Sequence, residues 1–255
     1  MGDQAGAPGV VRSSDVSGHL NPGGQQFRDD DGTADPRVAA ALAAYVSGRG
    51  SEQQALTALA AARLLVPVVA VLADGTAPSS GDKNSEMVLP TLIGHDGRPA
   101  VLAFTSLDAL ARWRPNARPV PAEADRVWRA AVADSCAVVI DVAGPVPIAV
   151  EGARLASLAA GQPVPPAYED PDVRAEVEAA VAAEPAVAGF SLAAGRPAQH
   201  GAGAEPTDLA VRLSVLAPDW QSAVNRVANS IAGRLASRLR QGIEFSVAAP
   251  GTPES

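Results

Sequence analysis

The stretch from Met87 to Pro121, MVLPTLIGHDGRPAVLAFTSLDALARWRPNARPVP, decides the fold of this chain. Residues 87–93 are apolar and of types that suit a pleated strand, and residues 99–104 form a second run of the same kind. Between them, Gly94-His95-Asp96-Gly97 predicts a turn, because glycine tolerates positive φ and aspartate can bond its own backbone. The stretch therefore predicts a β-hairpin on which the rest of the chain packs.

A short helix is predicted directly after the hairpin. Thr105 and Ser106 offer hydroxyls to the free N–H groups of a helix that starts near Leu107, and Asp108 stands in its first turn, where the helix dipole favours an anion. Residues 118–121 are then extended, because proline biases its predecessor away from helix.

Composition and charge exclude several classes of protein. The 255 residues carry 20 basic and 28 acidic side chains, a net charge of −8, which argues against nucleic acid and against an anionic membrane surface. No window approaches the ~18 apolar residues of a membrane span. The first residues lack a basic segment followed by an apolar run, so we expect no secretory signal. Cys136 is the only cysteine, and a cytoplasmic location is predicted.

The N-terminal half is predicted to be a tail followed by an α+β domain. Residues 1–34 lack apolar periodicity and predict a disordered tail. Residues 35–161 form the first domain, with a mixed or antiparallel sheet and flanking helices. Its first helix starts at Asp35-Pro36, a capping residue before a proline, and Ser51 can cap a second helix.

The C-terminal half is predicted to be a smaller α+β domain. The proline-rich residues 162–169 form a linker, residues 170–249 the domain and residues 250–255 a tail. The element order helix–strand–strand–helix–strand is typical of a ferredoxin-like antiparallel sheet. Trp220 opens an apolar stripe along the last helix and is expected in the core.

The sequence predicts no catalytic residue, cofactor site or metal site. His19, His95 and His200 have no partner at ligand spacing. His95-Asp96 could form a base and its orienting acid, but turn chemistry accounts for both residues. Cys136 has apolar and acidic neighbours, which predicts a buried, inert thiol. We therefore expect a protein that is not an enzyme.

A basic and aromatic segment at the end of the short helix is the candidate interaction surface. Tryptophan and arginine dominate binding hot spots. The competing interpretation is that Trp113 packs inward and the arginines are merely solvated. The candidate interaction residues are Phe104, Thr105, Ser106, Arg112, Trp113, Arg114 and Arg118.

Four motifs carry a resemblance to a known family: residues 64–69 (LLVPVV), residues 87–92 (MVLPTL), residues 96–98 (DGR) and residues 104–113 (FTSLDALARW). In these the chain resembles the SseB (enhanced serine sensitivity protein B) family, and more closely its actinobacterial members, over roughly residues 36–160. The resemblance implies an α+β N-terminal domain in a cytoplasmic, non-enzymatic protein, and it transfers no catalytic residues.

Three functions are compatible with the sequence. The first is a non-catalytic binding or regulatory protein that acts through contacts with an unknown protein partner, without nucleic acid or membrane. The second is a small-metabolite (amino-acid) sensor that uses the C-terminal α+β domain. The third is a weak enzyme that uses His95 or Cys136. The sequence leaves open whether the chain forms a homo-oligomer.

Overall fold

The computed structural model describes residues 11–12, 27–72, 85–88, 90–94, 97–145, 147–196, 205–216 and 220–248. The helices in these ranges are α1 (Pro36–Val46), α2 (Glu52–Leu59), α3 (Leu107–Trp113), α4 (Ala124–Ala133), α5 (Gly152–Ala159), α6 (Pro171–Ala182) and α7 (Trp220–Leu235). The strands are β1 (Val11–Arg12), β2 (Arg63–Leu72), β3 (Ser85–Val88), β4 (Pro90–Ile93), β5 (Pro99–Ala103), β6 (Arg118–Glu123), β7 (Ala137–Ile140), β8 (Ile148–Val150), β9 (Val187–Ala194), β10 (Leu209–Val215) and β11 (Ile243–Ala248). The predicted α+β class is confirmed.

Two compact units make up the chain. The first contains the described residues within 1–39 and 59–162, and the second contains residues 40–58 together with the described residues within 163–255. None of the described helices has the length and apolarity that crossing a membrane requires.

The first unit is built on a mixed five-stranded sheet in the order β1-β4-β5-β7-β8. The β4–β5 pair is the predicted hairpin, with Leu92 opposite Ala100, and β5 runs parallel to β7. The predicted strand over residues 87–93 is divided, because β3 pairs with β2 instead, in a three-stranded sheet ordered β3-β2-β6. Pro90 begins β4, a strand position that tolerates a missing N–H.

The core of the first unit contains a tryptophan that sequence periodicity did not single out. Trp128 in α4 is fully buried, and its indole N–H donates to the carbonyl oxygen of Ala60 at 3.4 Å. A second cluster under α3 contains the buried residues Leu65, Leu102, Phe104, Ala109, Leu110 and Ala117. Reciprocal backbone hydrogen bonds of 2.7 and 2.8 Å between Leu65 and Phe104 join the two sheets.

The second unit has a mixed three-stranded sheet in the order β11-β10-β9. The β9 strand is antiparallel to β10, whereas β11 is parallel to it and directly adjacent. This pairing departs from the expected ferredoxin-like antiparallel sheet, because α7 returns the chain to the neighbouring position in the same direction. One face of the sheet packs against α6 and α7 through the predicted apolar stripes, but Trp220 at the start of α7 is 39% exposed, so its predicted place in the core is wrong.

Residues 40–58, which include most of α1 and α2, group with the second unit, whereas the predicted domain 35–161 includes them. The Tyr45 hydroxyl donates to the carbonyl oxygen of Ser237 at 2.7 Å, and the Gln53 amide donates to that of Val164 at 2.9 Å. The predicted linker 162–169 therefore takes part in the packing of this unit through Val164, which is buried.

Part of the predicted tail 1–34 has defined contacts. The described strand β1 pairs antiparallel with β4, and the Asp30 carboxylate lies 2.8 Å from Nε of Arg63. The rest of residues 1–26, the turn residues His95 and Asp96, and the tail 250–255 lie outside the described residues, as do His19 and His200.

Candidate functional site

The segment Phe104–Ser106 lies where β5 ends. Phe104 is fully buried and Thr105 is only 7% exposed, so neither side chain can contact a partner. We assign both residues a role in supporting the exposed residues nearby. Ser106 caps α3, since its hydroxyl accepts a hydrogen bond from the N–H of Ala109 at 3.1 Å. The predicted capping role is confirmed for Ser106, but Thr105 points elsewhere.

Thr105 is bound to a residue that sequence analysis did not connect with it, Asp141. Its N–H donates to Oδ1 of Asp141 at 2.9 Å and its hydroxyl donates to Oδ2 at 2.7 Å. Because β5 and β7 are parallel neighbours, their carboxyl ends meet at the same edge of the sheet, which brings these residues together. Burial raises the pKa of Asp141, whereas the bonds from Thr105 and the charge of Arg112 lower it in part. The only indication of this contact in the sequence was an aspartate directly after an apolar strand.

Arg63 ties the segment before α1 to the start of α3. Its Nη1 donates to the carbonyl oxygen of Thr105 at 3.0 Å, its Nη2 donates to that of Thr33, and its Nε contacts Asp30. The N–H of Leu107 donates to the carbonyl oxygen of Gly32 at 2.8 Å. A Cβ at Gly32 would lie 2.2 Å from Leu107 and its φ is +76°, so glycine is required there. No local sequence pattern points to Arg63.

Trp113 combines the two roles that the sequence left open. It packs on the core cluster under α3, with its ring centroid 5.6 Å from that of Phe104, yet it remains half-buried. The guanidinium carbon of Arg114 lies 5.0 Å from the Trp113 ring centroid, within cation–π range. The core therefore holds the indole in place while part of it stays accessible.

The exposed residues around Trp113 form a basic patch. Arg112 and Arg114 are exposed at the end of α3, and Arg118 is exposed at the start of β6. Leu107, at the other end of the helix, is 40% exposed. Hereafter the α3 surface means the following five residues: Leu107, Arg112, Trp113, Arg114 and Arg118.

A buried ion cluster lies in the second unit. Arg238 contacts Glu52 through Nε at 3.4 Å and Asp170 through Nη2 at 2.5 Å. The side chains of Asp170 and Glu52 are only 1% and 11% exposed, and that of Arg238 is 14% exposed. Burial alone would lower the pKa of Arg238, but the two carboxylates outweigh it and raise that pKa. Asp170 also caps α6, because its Oδ1 accepts the N–H of Asp172 at 2.8 Å.

A cleft of about 330 Å³ adjoins this cluster. Its walls come from the start of α2, residues 164–168, Asp170, the end of β9, the residues before β10 and the turn after α7. Asp208 in its wall accepts the N–H of Gln241 through Oδ2 at 2.7 Å. The other oxygen, Oδ1, is buried and has no hydrogen-bond partner among the described residues. Burial raises the pKa of Asp208, partly offset by the bond from Gln241.

Cys136 is buried, as predicted. Its thiol donates to the carbonyl oxygen of Asp134 at 3.4 Å, and burial, together with the charge of Asp134, raises its pKa. A raised pKa leaves less thiolate, so the sulfur is a poor nucleophile. Within the described ranges, no three His, Cys, Asp or Glu side chains gather as metal ligands.

Comparison with known proteins gives a match to part of the chain. Residues 38–157 match the family model described as the SseB protein N-terminal domain. Neither the curated proteins nor the solved structures contain a match to the chain.

Proposed function

We propose that this chain, a member of the SseB family through its domain at residues 38–157, is a non-catalytic binding protein that acts through protein contacts at the α3 surface. The observation that carries the proposal is the half-buried Trp113, supported by Phe104 at 5.6 Å and accompanied by Arg114 at 5.0 Å. Tryptophan and arginine are the residues most enriched in binding hot spots.

Preorganisation supports this proposal. Ser106 caps α3, Arg63 binds the carbonyl oxygen of Thr105, and the Thr105–Asp141 bonds anchor the residue before the cap to the residue after β7. A surface held in one conformation loses less entropy when a partner binds. The α3 surface can therefore present an aromatic anchor and several cations without rearrangement.

The charge of the α3 surface favours an acidic partner. Arg112, Arg114 and Arg118 contribute three positive charges, against the carboxylate of Asp108 in the same helix and that of Asp141, on which the charge of Arg112 acts. The chain as a whole carries a net charge of −8, so this patch is a local reversal of sign. Complementary charge raises association rates and excludes partners of the same sign, and we propose an acidic protein segment as the partner class.

The proposal that the protein is not an enzyme is supported by the state of Cys136. Its buried thiol with a raised pKa is unsuited to nucleophilic chemistry. A cytoplasmic location is proposed with it, because a single cysteine and an acidic net charge are compatible with a reducing compartment.

A charge-reversal pair tests the α3 surface. Arg114→Glu with Arg118→Glu is compared with a control pair, Arg49→Glu with Arg212→Glu, which makes the same change in net charge at exposed positions elsewhere. Tagged full-length chains are isolated from the cytoplasm of the native host, and co-purifying proteins are quantified. We expect a partner retained by the wild type and the control pair and lost by the α3 pair. Equal retention by both pairs, with native circular dichroism, would refute the assignment.

A second candidate function is a small-metabolite sensor, including an amino-acid sensor, built on the second unit. The cleft of about 330 Å³ favours it, because pockets for small molecules start at roughly 300 Å³ and carry a few fixed polar groups. A thermal-shift screen of metabolites tests it. A ligand at ~100 times its dissociation constant stabilises by about 2.7 kcal/mol, and a panel without any shift would count against this candidate.

A further inference from the structure

We propose that the cleft of the second unit binds a small molecule that carries a protonated amine, with the Asp208 carboxylate as its anionic anchor. The inference rests on the sensor candidate and gives it a ligand class. It is independent of the α3 surface, because every residue that lines the cleft belongs to the second unit.

The charges that line the cleft leave a negative excess. Three carboxylates, of Glu52, Asp170 and Asp208, stand against two guanidinium groups, of Arg196 and Arg238. Arg238 is already held by Glu52 and Asp170, and Arg196 lies 2.5 Å from Glu244, which does not line the cleft. Both cations are thus engaged by carboxylates of the protein, and the Asp208 charge is left without a counter-ion among these groups.

Within the described part of the chain, the Asp208 carboxylate lacks a partner that a cationic ligand would supply. Its Oδ1 is buried without a hydrogen-bond partner among the described residues, and native proteins leave few buried polar atoms in that condition. Its Oδ2 is held by the backbone N–H of Gln241, and its own N–H donates to the carbonyl oxygen of Gly242 at 2.9 Å. The carboxylate is therefore fixed in place beside the cleft, with a charge that no described cation of the cleft compensates. An ammonium group in the cleft would supply the compensating charge.

The wall beside Asp208 is closely packed and hydrogen-bonded. The N–H of Thr207 donates to the carbonyl oxygen of Arg196 at 2.9 Å, and the Thr207 hydroxyl accepts the Arg196 N–H at 2.8 Å. A Cβ on Gly195 would lie 2.1 Å from the Thr207 carbonyl oxygen, so only glycine allows these two backbone segments to approach this closely. A hydrogen-bonded wall and a volume of about 330 Å³ suit a ligand of few atoms.

Titration of the full chain with three four-carbon probes tests the ligand class. Butan-1-amine, butan-1-ol and butyrate are added at matched ionic strength while the backbone amide signal of Gln241, the donor to Asp208, is followed by NMR. We expect saturable shifts with the amine and none with the alcohol or butyrate. Saturation by butyrate and not by the amine would keep a ligand site but overturn the amine inference, and no saturation by any probe would overturn it as well.

Variants locate the binding. Asp208→Asn keeps an acceptor for the Gln241 N–H and removes the charge, and we expect its affinity for butan-1-amine to fall about tenfold or more. The matched control is Glu178→Gln, at an exposed position of α6 outside the cleft. Its affinity for butan-1-amine should stay within about twofold of the wild type, which is well below the tenfold loss, or ~1.4 kcal/mol, expected for Asp208→Asn. Ala194→Phe fills the cleft from an exposed position and tests the site if Asp208→Asn does not fold. Unchanged affinity in both Asp208→Asn and Ala194→Phe overturns the proposal.

Discussion

At the scale of single residues, the Thr105–Asp141 contact explains why a threonine follows Phe104. The Thr105 hydroxyl and N–H satisfy both oxygens of a largely buried carboxylate. We expect Thr105→Val, which keeps the shape and removes the hydroxyl, to lower the free energy of unfolding by about 1–3 kcal/mol, because a buried acceptor loses its donor. Urea denaturation measures this as a lower midpoint with an unchanged slope.

The control for that substitution is Thr57→Val in α2. The Thr57 hydroxyl is exposed and donates to the carbonyl oxygen of Gln53 within the same helix. Its loss should change the free energy of unfolding by no more than about 0.5 kcal/mol. Equal effects of the two substitutions would mean that the Thr105–Asp141 contact contributes nothing particular to stability.

Asp141 also predicts a dependence of stability on pH. Burial raises its pKa in the folded protein, so the folded state binds this proton more tightly than the unfolded state, whose pKa is about 3.9. The stabilisation from protonating Asp141 is complete below the unfolded pKa and is lost as the pH rises through the folded value. The difference in unfolding free energy, wild type minus Asp141→Asn, should therefore decrease from about pH 3 to pH 7.

Asparagine is the suitable replacement in this measurement. Asp141 has a φ of +49°, and asparagine tolerates that region better than other neutral residues. Urea denaturation of both proteins at a series of pH values gives the difference directly, and contributions from other acids such as Asp208 cancel. A difference that stays constant or grows with pH would contradict the buried environment assigned to Asp141.

Single residues also mark where sequence reasoning succeeds. Ser106 was predictable as a cap because its partner, Ala109, is three residues away. The partner of Thr105 lies 36 residues away, and it depends on β5 and β7 being parallel neighbours. Trp113 was predicted to be either core or surface, and its half-buried state depends on the packing of Phe104, which no local pattern encodes.

At the scale of elements, Arg238 holds the starts of α2 and α6 to the turn after α7. We expect Arg238→Met to lower the free energy of unfolding by about 3–5 kcal/mol, because the buried carboxylates of Glu52 and Asp170 lose their counter-ion. Arg234→Met, in the last turn of α7, removes an exposed ion pair with Glu176 and should cost no more than about 1 kcal/mol. Chemical denaturation of both variants measures the contrast, and similar small losses would show that the cluster is not a buried network.

The elements themselves were largely predictable, and their pairing was not. Caps and prolines indicate the starts of α1, α3 and α6 correctly, because these signals act within one turn. The apolar run over residues 87–93 divides between two sheets, and β11 joins β10 in parallel. The partner of a strand is determined by packing between distant segments. The pattern of apolar residues in one strand does not specify which distant segment will pair with it.

At the scale of the whole molecule, residues 40–58 supply part of the second unit. Tyr45 bonds Ser237 and Glu52 contacts Arg238. We expect the fragment 163–255 alone to lack cooperative urea unfolding, because Tyr45 and Glu52 are missing. The same fragment with residues 40–58 joined ahead of it by a flexible Gly/Ser linker should recover a cooperative transition.

Circular dichroism across a urea series compares the two fragments. The control joins residues 40–58 with Tyr45→Ala and Glu52→Ala, which keeps the added length and removes both contacts. Equal cooperativity with and without residues 40–58 would show that the C-terminal segment folds by itself, as the sequence-based domain 170–249 supposes.

Site-specific photocrosslinking tests the proposed binding face most directly. A photoreactive residue replaces Ala111, exposed on α3, or Val132, which is 46% exposed on α4, in chains expressed in the native host. If the α3 surface binds a protein partner, we expect a discrete crosslinked protein from position 111 and none from position 132. The product from position 111 should be lost when Arg114→Glu and Arg118→Glu are added. Identical crosslinking from both positions, or a position 111 product that survives the two substitutions, would contradict binding at the α3 surface.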